Sequence, residues 1–192
     1  MKLYDISQEV FSCAVYPGDP APEKQILSST DEGAVYNLTA FSMCAHNGTH
    51  VDAPFHFLPA GKTVEEIPLD HFVGKCYVLS HNGEVSAQDA VSMLEKAQGR
   101  ERLLISGPAT ITAEAAHIFA QNHLKLIGNE SQSVGPEDAP MEVHKILLGK
   151  GIVLLEGIVL TNIPEGEYFL SAAPLKLAGS DGAPCRAYLA EF

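Results

Sequence analysis

Basic residues are few in this chain. Twelve lysines and arginines stand against 24 aspartates and glutamates, a formal net charge of −12 over 192 residues. A surface of that sign repels phosphate, so neither nucleic acid nor an anionic membrane is expected as a partner, and a small-molecule substrate is. Long apolar runs are also lacking. The longest, 151–160, is interrupted by Glu156, well short of the roughly 20 apolar residues that a membrane-spanning helix needs. The opening MKLYDISQEV has no apolar leader core, which makes a cytoplasmic setting the expectation. The four cysteines, Cys13, Cys44, Cys76 and Cys185, form no C-x-x-C pair. That spacing excludes a zinc ribbon or a thioredoxin-type redox motif and agrees with a reducing compartment.

What is present reads as a globular enzyme-sized chain. Apolar residues make up 46% and charged residues 19%, and the length suits one domain spanning 1–192. No internal repeat or linker-like stretch interrupts it. Residues 36–45 and 75–79 are strand-like. Ser86 is an N-cap for a helix with Asp89 at its third position and Gly99 at its end. Thr112 opens a second helix, flanked by strand-like runs at 102–106 and 124–128. A third helix is expected over about 140–148, ahead of a strand over 151–160, and 184–192 reads as a closing strand. Strand and helix alternate after residue 75, which predicts an α/β fold with partly parallel pairing. The strand-rich first third argues against a simple doubly wound sheet.

The chemistry concentrates in AHNGTHVDAPFHF, where His46, His50, Asp52 and His56 fall within eleven residues. Asn47-Gly48 is a turn-forming pair that can fold two imidazoles towards one point. His50 and Asp52 are one residue apart, so an extended backbone presents both on one face. Imidazole with carboxylate suits zinc, manganese or iron(II), whereas an all-oxygen set suits magnesium or calcium. One such histidine would ordinarily be an exposed loop residue; this pattern, preceded by a strand, reads as a metal centre.

Other residues carry weaker signals. Glu156 breaks an apolar strand, where a carboxylate is costly unless it meets a cation or lies at the strand end. His144 precedes it by twelve residues; on its own it reads as a surface histidine. Cys44 reads as a small apolar strand residue rather than a ligand, and Thr49 as a residue that orients a ligand. Phe55 is expected at a pocket wall and Phe72 in the core. Asp181 and Arg186 flank a Gly-Ala-Pro turn and read equally as pocket residues or as a structural ion pair. His71, His81, His117 and His123 follow no pattern.

HNGTHVDAPFHF resembles the H-x-G-T-H-x-D-x-P-x-H-F signature of the cyclase family of metal-dependent hydrolases, which includes bacterial kynurenine formamidases and isatin hydrolases. YDIS, YPGD, LLISG, LIGNESQSV, His144-x₁₁-Glu156 and GAPCRAYL match softer features of the family in the right order. The resemblance implies a swivelling β/β/α fold with a mixed sheet and two divalent metal ions, zinc or manganese. By position, His46 and His50 would bind one ion, His144 the other, and Asp52 and Glu156 both. His56 would be the proton donor and acceptor, and Tyr16 would lie against the substrate. It implies a metal-dependent amidohydrolase in which metal-activated water cleaves an N-formyl or cyclic amide, assembled as a homodimer or homotetramer. Two positions depart from the pattern. Tyr16 stands where kynurenine formamidases tend to have tryptophan, a residue this chain lacks altogether, and Glu130 stands where relatives commonly have aspartate. Kynurenine specificity therefore does not follow from the resemblance.

Two other readings fit parts of the pattern. His50-x-Asp52 with a distant histidine is the outline of a non-heme iron(II) oxygenase triad, although Leu154 stands near where an arginine for 2-oxoglutarate would be. A catalytically silent metal-binding module of the same fold is the other, which the presence of His56 disfavours.

Overall fold

Residues Met1–Phe192 are all described by a computed structural model. The chain runs through β1 (Lys2–Asp5), β2 (Glu23–Ser28), β3 (Leu38–Ser42), β4 (His50–Asp52), β5 (Val73–Ser80) and β6 (Gly83–Val85) before its first helix, α1 (Ala87–Ala97). It continues through β7 (Arg102–Ser106), β8 (Ala109–Ile111), α2 (Ala113–Ala120), β9 (Leu126–Asn129), α3 (Met141–Leu148) and β10 (Val153–Glu156). β11 (Gly166–Ser171), β12 (Gly182–Pro184) and β13 (Tyr188–Glu191) complete it. Nine strands form a mixed sheet in the order β1-β13-β11-β5-β7-β9-β10-β4-β12, parallel from β5 to β10 and antiparallel on both flanks. This is the mixed α/β fold that the strand and helix alternation predicts. No helix is long and apolar enough to cross a membrane.

The helices begin where their caps lie. Ser86 and Asp89 close a capping box on α1, and the Thr112 hydroxyl accepts from Ala115 N–H at the start of α2. Their apolar stripes pack on one face of the sheet with Leu103, Ile105, Ile127 and Leu154. Val51, Val153 and Leu155 point to the other face and pack with Ile6, Phe72 and Leu170. Burying a side chain such as Leu154 contributes about 1.5–3 kcal/mol, and a one-residue slip would turn every side chain of its strand over. The register that buries Leu154 therefore also sets the direction of Glu156.

Two expectations need correction. The run 151–160 is not one strand, because β10 stops at Glu156 and Gly157 turns the chain with φ +65°. A Cβ on Gly157 would lie 2.4 Å from the Gly48 carbonyl oxygen, so close approach of two turns ends the strand. The closing strand expected over 184–192 forms as β13 and lies between β1 and β11. Cys44 lies outside β3, which pairs only with β2 in a separate hairpin.

Candidate metal centre

His50 and Asp52 are alternate residues of β4, so their side chains leave one face while Val51 packs into the core on the other. β10 lies antiparallel beside β4 with Glu156 opposite His50 and Leu154 opposite Asp52. Directly opposed residues share a face, and Glu156 joins the pair. α3 packs over that face, with His144 on its buried stripe beside Val143 and Leu147. His46 comes from the turn before β4, where Asn47 Oδ1 accepts from Cys44 N–H at 2.8 Å. Gly182 on β12 leaves the space for it: a Cβ there would lie 2.7 Å from His46 Cε1.

Each carboxylate turns one oxygen to each of two histidines. His50 Nε2 lies 3.4 Å from Asp52 Oδ1 and 3.4 Å from Glu156 Oε2. His144 Nε2 lies 3.5 Å from Asp52 Oδ2 and 3.3 Å from Glu156 Oε1. His46 Nδ1 joins the His50 side, 2.9 Å from Asp52 Oδ1. Tetrahedral sites with bonds of about 2.0–2.1 Å hold neighbouring ligand atoms about 3.3–3.4 Å apart. The four contacts of His50 and His144 have that spacing.

The surroundings orient these nitrogens. His50 Nδ1 faces the Gly48 carbonyl at 3.0 Å and His144 Nδ1 faces the Pro140 carbonyl at 2.8 Å. A carbonyl only accepts, so each Nδ1 carries a proton and each Nε2 turns to the carboxylates. Val134 N–H donates to Glu156 Oε1 at 2.8 Å, while Asp52 Oδ2 is buried with no hydrogen-bond partner. Buried anions of this kind need a cation or protons. With protons in that role, burial by itself lowers the basicity of His50 and His144, but Asp52 and Glu156 more than reverse it, to about 10 for each. Burial likewise works against protonated His46, and Asp181 and Asp52 raise it to about 9. Burial pushes the Asp52 carboxyl upward, yet His144, His46 and His50 hold it well below the usual range. Three imidazoles and two carboxylates converging in a buried site form a donor set for a divalent metal ion.

A cavity of about 370 Å³ opens onto this cluster, walled by Tyr16, His56, Phe57, Gln132, Ser133 and Asp181 among others. His56 Nδ1 lies 3.1 Å from Asp181 Oδ2, and the same oxygen lies 2.9 Å from His46 Nε2. Contact with His46 holds the Asp181 carboxyl below the usual carboxylate range despite partial burial. Phe57 stacks 4.6 Å from the His144 ring. Tyr16 donates its hydroxyl to the Glu137 carbonyl at 2.6 Å. Ser133 Oγ and Gln132 Oε1 are buried and unpartnered.

The structure brings His46, His50, Asp52, His144 and Glu156 together, with His56 and Tyr16 on the cavity wall. Phe55 is not on that wall. It is 40% exposed, because the 3-10 turn Pro54–His56 rotates it outward, and Phe57 takes the place expected for it. Asp181 and Arg186 are not an ion pair with each other: Arg186 pairs with Asp5 on the exterior. Thr49 does not touch a ligand side chain but donates to the Gly157 carbonyl at 2.6 Å and accepts from Gln8 N–H at 2.9 Å. Cys44 lines the cavity instead of packing in a strand. Gln132 and Ser133 lie within the LIGNESQSV match but were given no role there; β9 and β10 end at the cavity, and ligands of parallel sheets gather at carboxyl ends of strands.

Comparison with known proteins agrees with this geometry. The Cyclase family model matches residues 4–136. The kynurenine formamidase of Salinibacter ruber is 36% identical over 208 aligned positions, covering 98% of this chain and 97% of that protein. A solved structure described as a predicted metal-dependent hydrolase from Bacillus stearothermophilus superposes with a TM-score of 0.80 at 27% identity, covering 98% of this chain and 97% of that one. Isatin hydrolase A from Labrenzia aggregata shares the fold, with a TM-score of 0.83 at 22% identity and coverage of 98% and 93%. Signature, fold and buried donor set lead to one conclusion: this protein belongs to the cyclase family of metal-dependent hydrolases.

Proposed function

We propose that the chain cleaves an N-formyl or cyclic amide of a small, flat substrate, in the manner of an arylformamidase, with two zinc or manganese ions. One observation carries the two-ion reading: Asp52 and Glu156 each give one oxygen to the His50 side and the other to the His144 side. His46, His50, Asp52 and Glu156 would hold one ion, and His144 with the same two carboxylates the other. When bound, the ions supply a Lewis acid for the carbonyl and lower the pKa of water to near neutrality. An iron(II) facial triad uses two histidines and one carboxylate; the fuller set here favours hydrolysis.

The remaining steps belong to the chain's own side chains. His56, held at Nδ1 by Asp181, presents Nε2 to the cavity and passes a proton to the departing nitrogen. Tyr16 and Phe57 supply flat apolar walls for a ring, and Ser133 and Gln132 offer hydrogen bonds to its polar edge. The relatives named for kynurenine formamidase and isatin hydrolase activity support this substrate class. Protein purified without chelator is expected to contain zinc or manganese and to turn over at least one of N-formylkynurenine, isatin or a simple cyclic amide. Inertness of the metal-replete protein across that panel would refute the reading.

We also place the protein in the cytoplasm as a homodimer or homotetramer. The β2–β3 hairpin supports association, since it exposes Ile26, Leu27, Leu38 and Phe41. Light scattering of the purified chain tests this, and a monomeric mass would contradict it.

A further inference from the structure

Asp181 stands far in sequence from the signature, yet its carboxylate reaches two histidines of the centre at once. Oδ2 lies 2.9 Å from His46 Nε2 and 3.1 Å from His56 Nδ1, and those two rings lie 4.1 Å apart, tilted by 30°. The backbone holds Asp181 in place. Its carbonyl accepts from Ala53 N–H at 2.8 Å, and the next residue, Gly182, pairs with Asp52 in the sheet.

A carboxylate oxygen accepts and cannot donate, so each contact holds a proton on the ring nitrogen that it faces. In His46 both ring nitrogens face a carboxylate, so once a cation takes the Nδ1 lone pair beside Asp52, the Asp181 contact keeps the remaining proton on Nε2. In His56 it leaves Nε2, which has no partner within the protein, as the nitrogen that exchanges a proton with substrate. No other side chain on the cavity wall hydrogen-bonds to both rings. We propose that Asp181 is a positioning residue shared by a metal ligand and the proton carrier, so that one carboxylate sets the geometry of metal binding and of proton delivery together. The proposal rests on the reading of His46 as a ligand and His56 as the proton carrier.

Asp181→Ala and Asp181→Asn test it, with zinc as the probe. Asparagine keeps an oxygen that accepts from both rings and removes the charge. In competition with a chromogenic chelator, Asp181→Ala is expected to weaken zinc binding about 10- to 100-fold. On the panel amide that the wild type cleaves fastest, its kcat at saturating zinc is expected to fall about 10- to 100-fold with KM little changed. Asp181→Asn is expected to recover most of both losses. Unchanged zinc affinity in the alanine variant overturns the proposal, as does weakened affinity with unchanged kcat at saturating zinc. An asparagine variant as impaired as alanine also overturns it, since position alone would then not suffice. Circular dichroism melts establish that both variants fold, and Asp181→Ser replaces alanine if that variant does not. A wild-type chain that fails to bind zinc in the same titration overturns the metal centre itself, a separate outcome.

Discussion

Glu156 faces His50 across the antiparallel pair of β10 and β4, with Oε2 and Nε2 3.4 Å apart. Sheet register and donor geometry are thus one property. The same register buries Leu154 and Leu155 on opposite faces, so the apolar core enforces the position of a buried anion that would otherwise destabilise the fold. α3 completes the arrangement from above, because its buried stripe carries His144 to the far oxygens of both carboxylates.

This division predicts different outcomes for two ligand substitutions. His144→Ala removes the only histidine on its side and is expected to lose one of the two bound ions while keeping the other. His50→Ala leaves His46 with the carboxylates and is expected to weaken binding on that side and abolish turnover. Metal analysis of the purified variants measures this. Full metal content with full activity in either variant would contradict the assignment.

The pH dependence of stability follows from the protonated cluster. His50 and His144 are raised from 6.5 to about 10 on folding. A raised value means that the protonated form stabilises the fold, fully below about pH 6.5 and progressively less as pH climbs to about 10. Asp52 is held below its ordinary 3.8, so its contribution is present above that value and fades as acid protonates it. Metal-stripped protein is therefore expected to be most stable between about pH 4 and 6.5 and to melt lower towards pH 10. A divalent ion displaces these protons, so its binding tightens as pH rises and offsets the loss. Circular dichroism melts with and without chelator across this range give the test, and a flat profile for stripped protein would exclude the linkage.

Local geometry explains which parts of the site were legible in the sequence. His46, His50 and Asp52 were readable because a turn and a period of two act over seven residues. The starts of α1 and α2 were readable because capping residues and helical periodicity are local as well. Asp181 was readable only as one of two alternatives, pocket residue or ion pair, since its contact with His56 spans 125 positions and forms beside the β4–β12 pairing. Phe55 and Phe57 could not be told apart, because in a 3-10 turn of three residues per revolution side chains two positions apart leave in different directions. The end of β10 at Gly157 depends on a carbonyl from the turn at Gly48, a partner that no local pattern names.

Ser133 and Gln132 offer a test of substrate binding that leaves the metal in place. Ser133 and Gln132 line the cavity, and Ser133 Oγ and Gln132 Oε1 have no hydrogen-bond partner within the protein. Hydrogen bonds to substrate from these atoms are worth about 0.5–1.5 kcal/mol each. Ser133→Ala is therefore expected to raise KM by about 2- to 10-fold with kcat and zinc content nearly unchanged. Steady-state kinetics on the best panel substrate decides the matter; an unchanged KM for Ser133→Ala and Gln132→Leu alike would remove both from the binding site.

Glu130 gives the clearest separation of stability from catalysis. Its Oε2 accepts from Gly107 N–H at 2.6 Å and its Oε1 from Leu160 N–H at 2.7 Å, which ties the turn after β7 to the segment after β10. An aspartate is one methylene shorter and would not span both donors in this backbone. Glu130→Ala leaves two backbone N–H groups without partners, at about 1–3 kcal/mol each. For a chain of this size the melting temperature is expected to fall on the order of 5–10 °C. Glu130→Gln keeps one accepting oxygen but turns an NH₂ group towards the other donor, so its loss is expected to be intermediate. Glu130 is not on the wall of the cavity, and metal content and kcat at 25 °C are expected to stay within a few-fold of wild type in both variants. Melting curves alongside kinetics check this, and an alanine variant that melts like the wild type while losing activity would assign Glu130 to the site instead of to the scaffold.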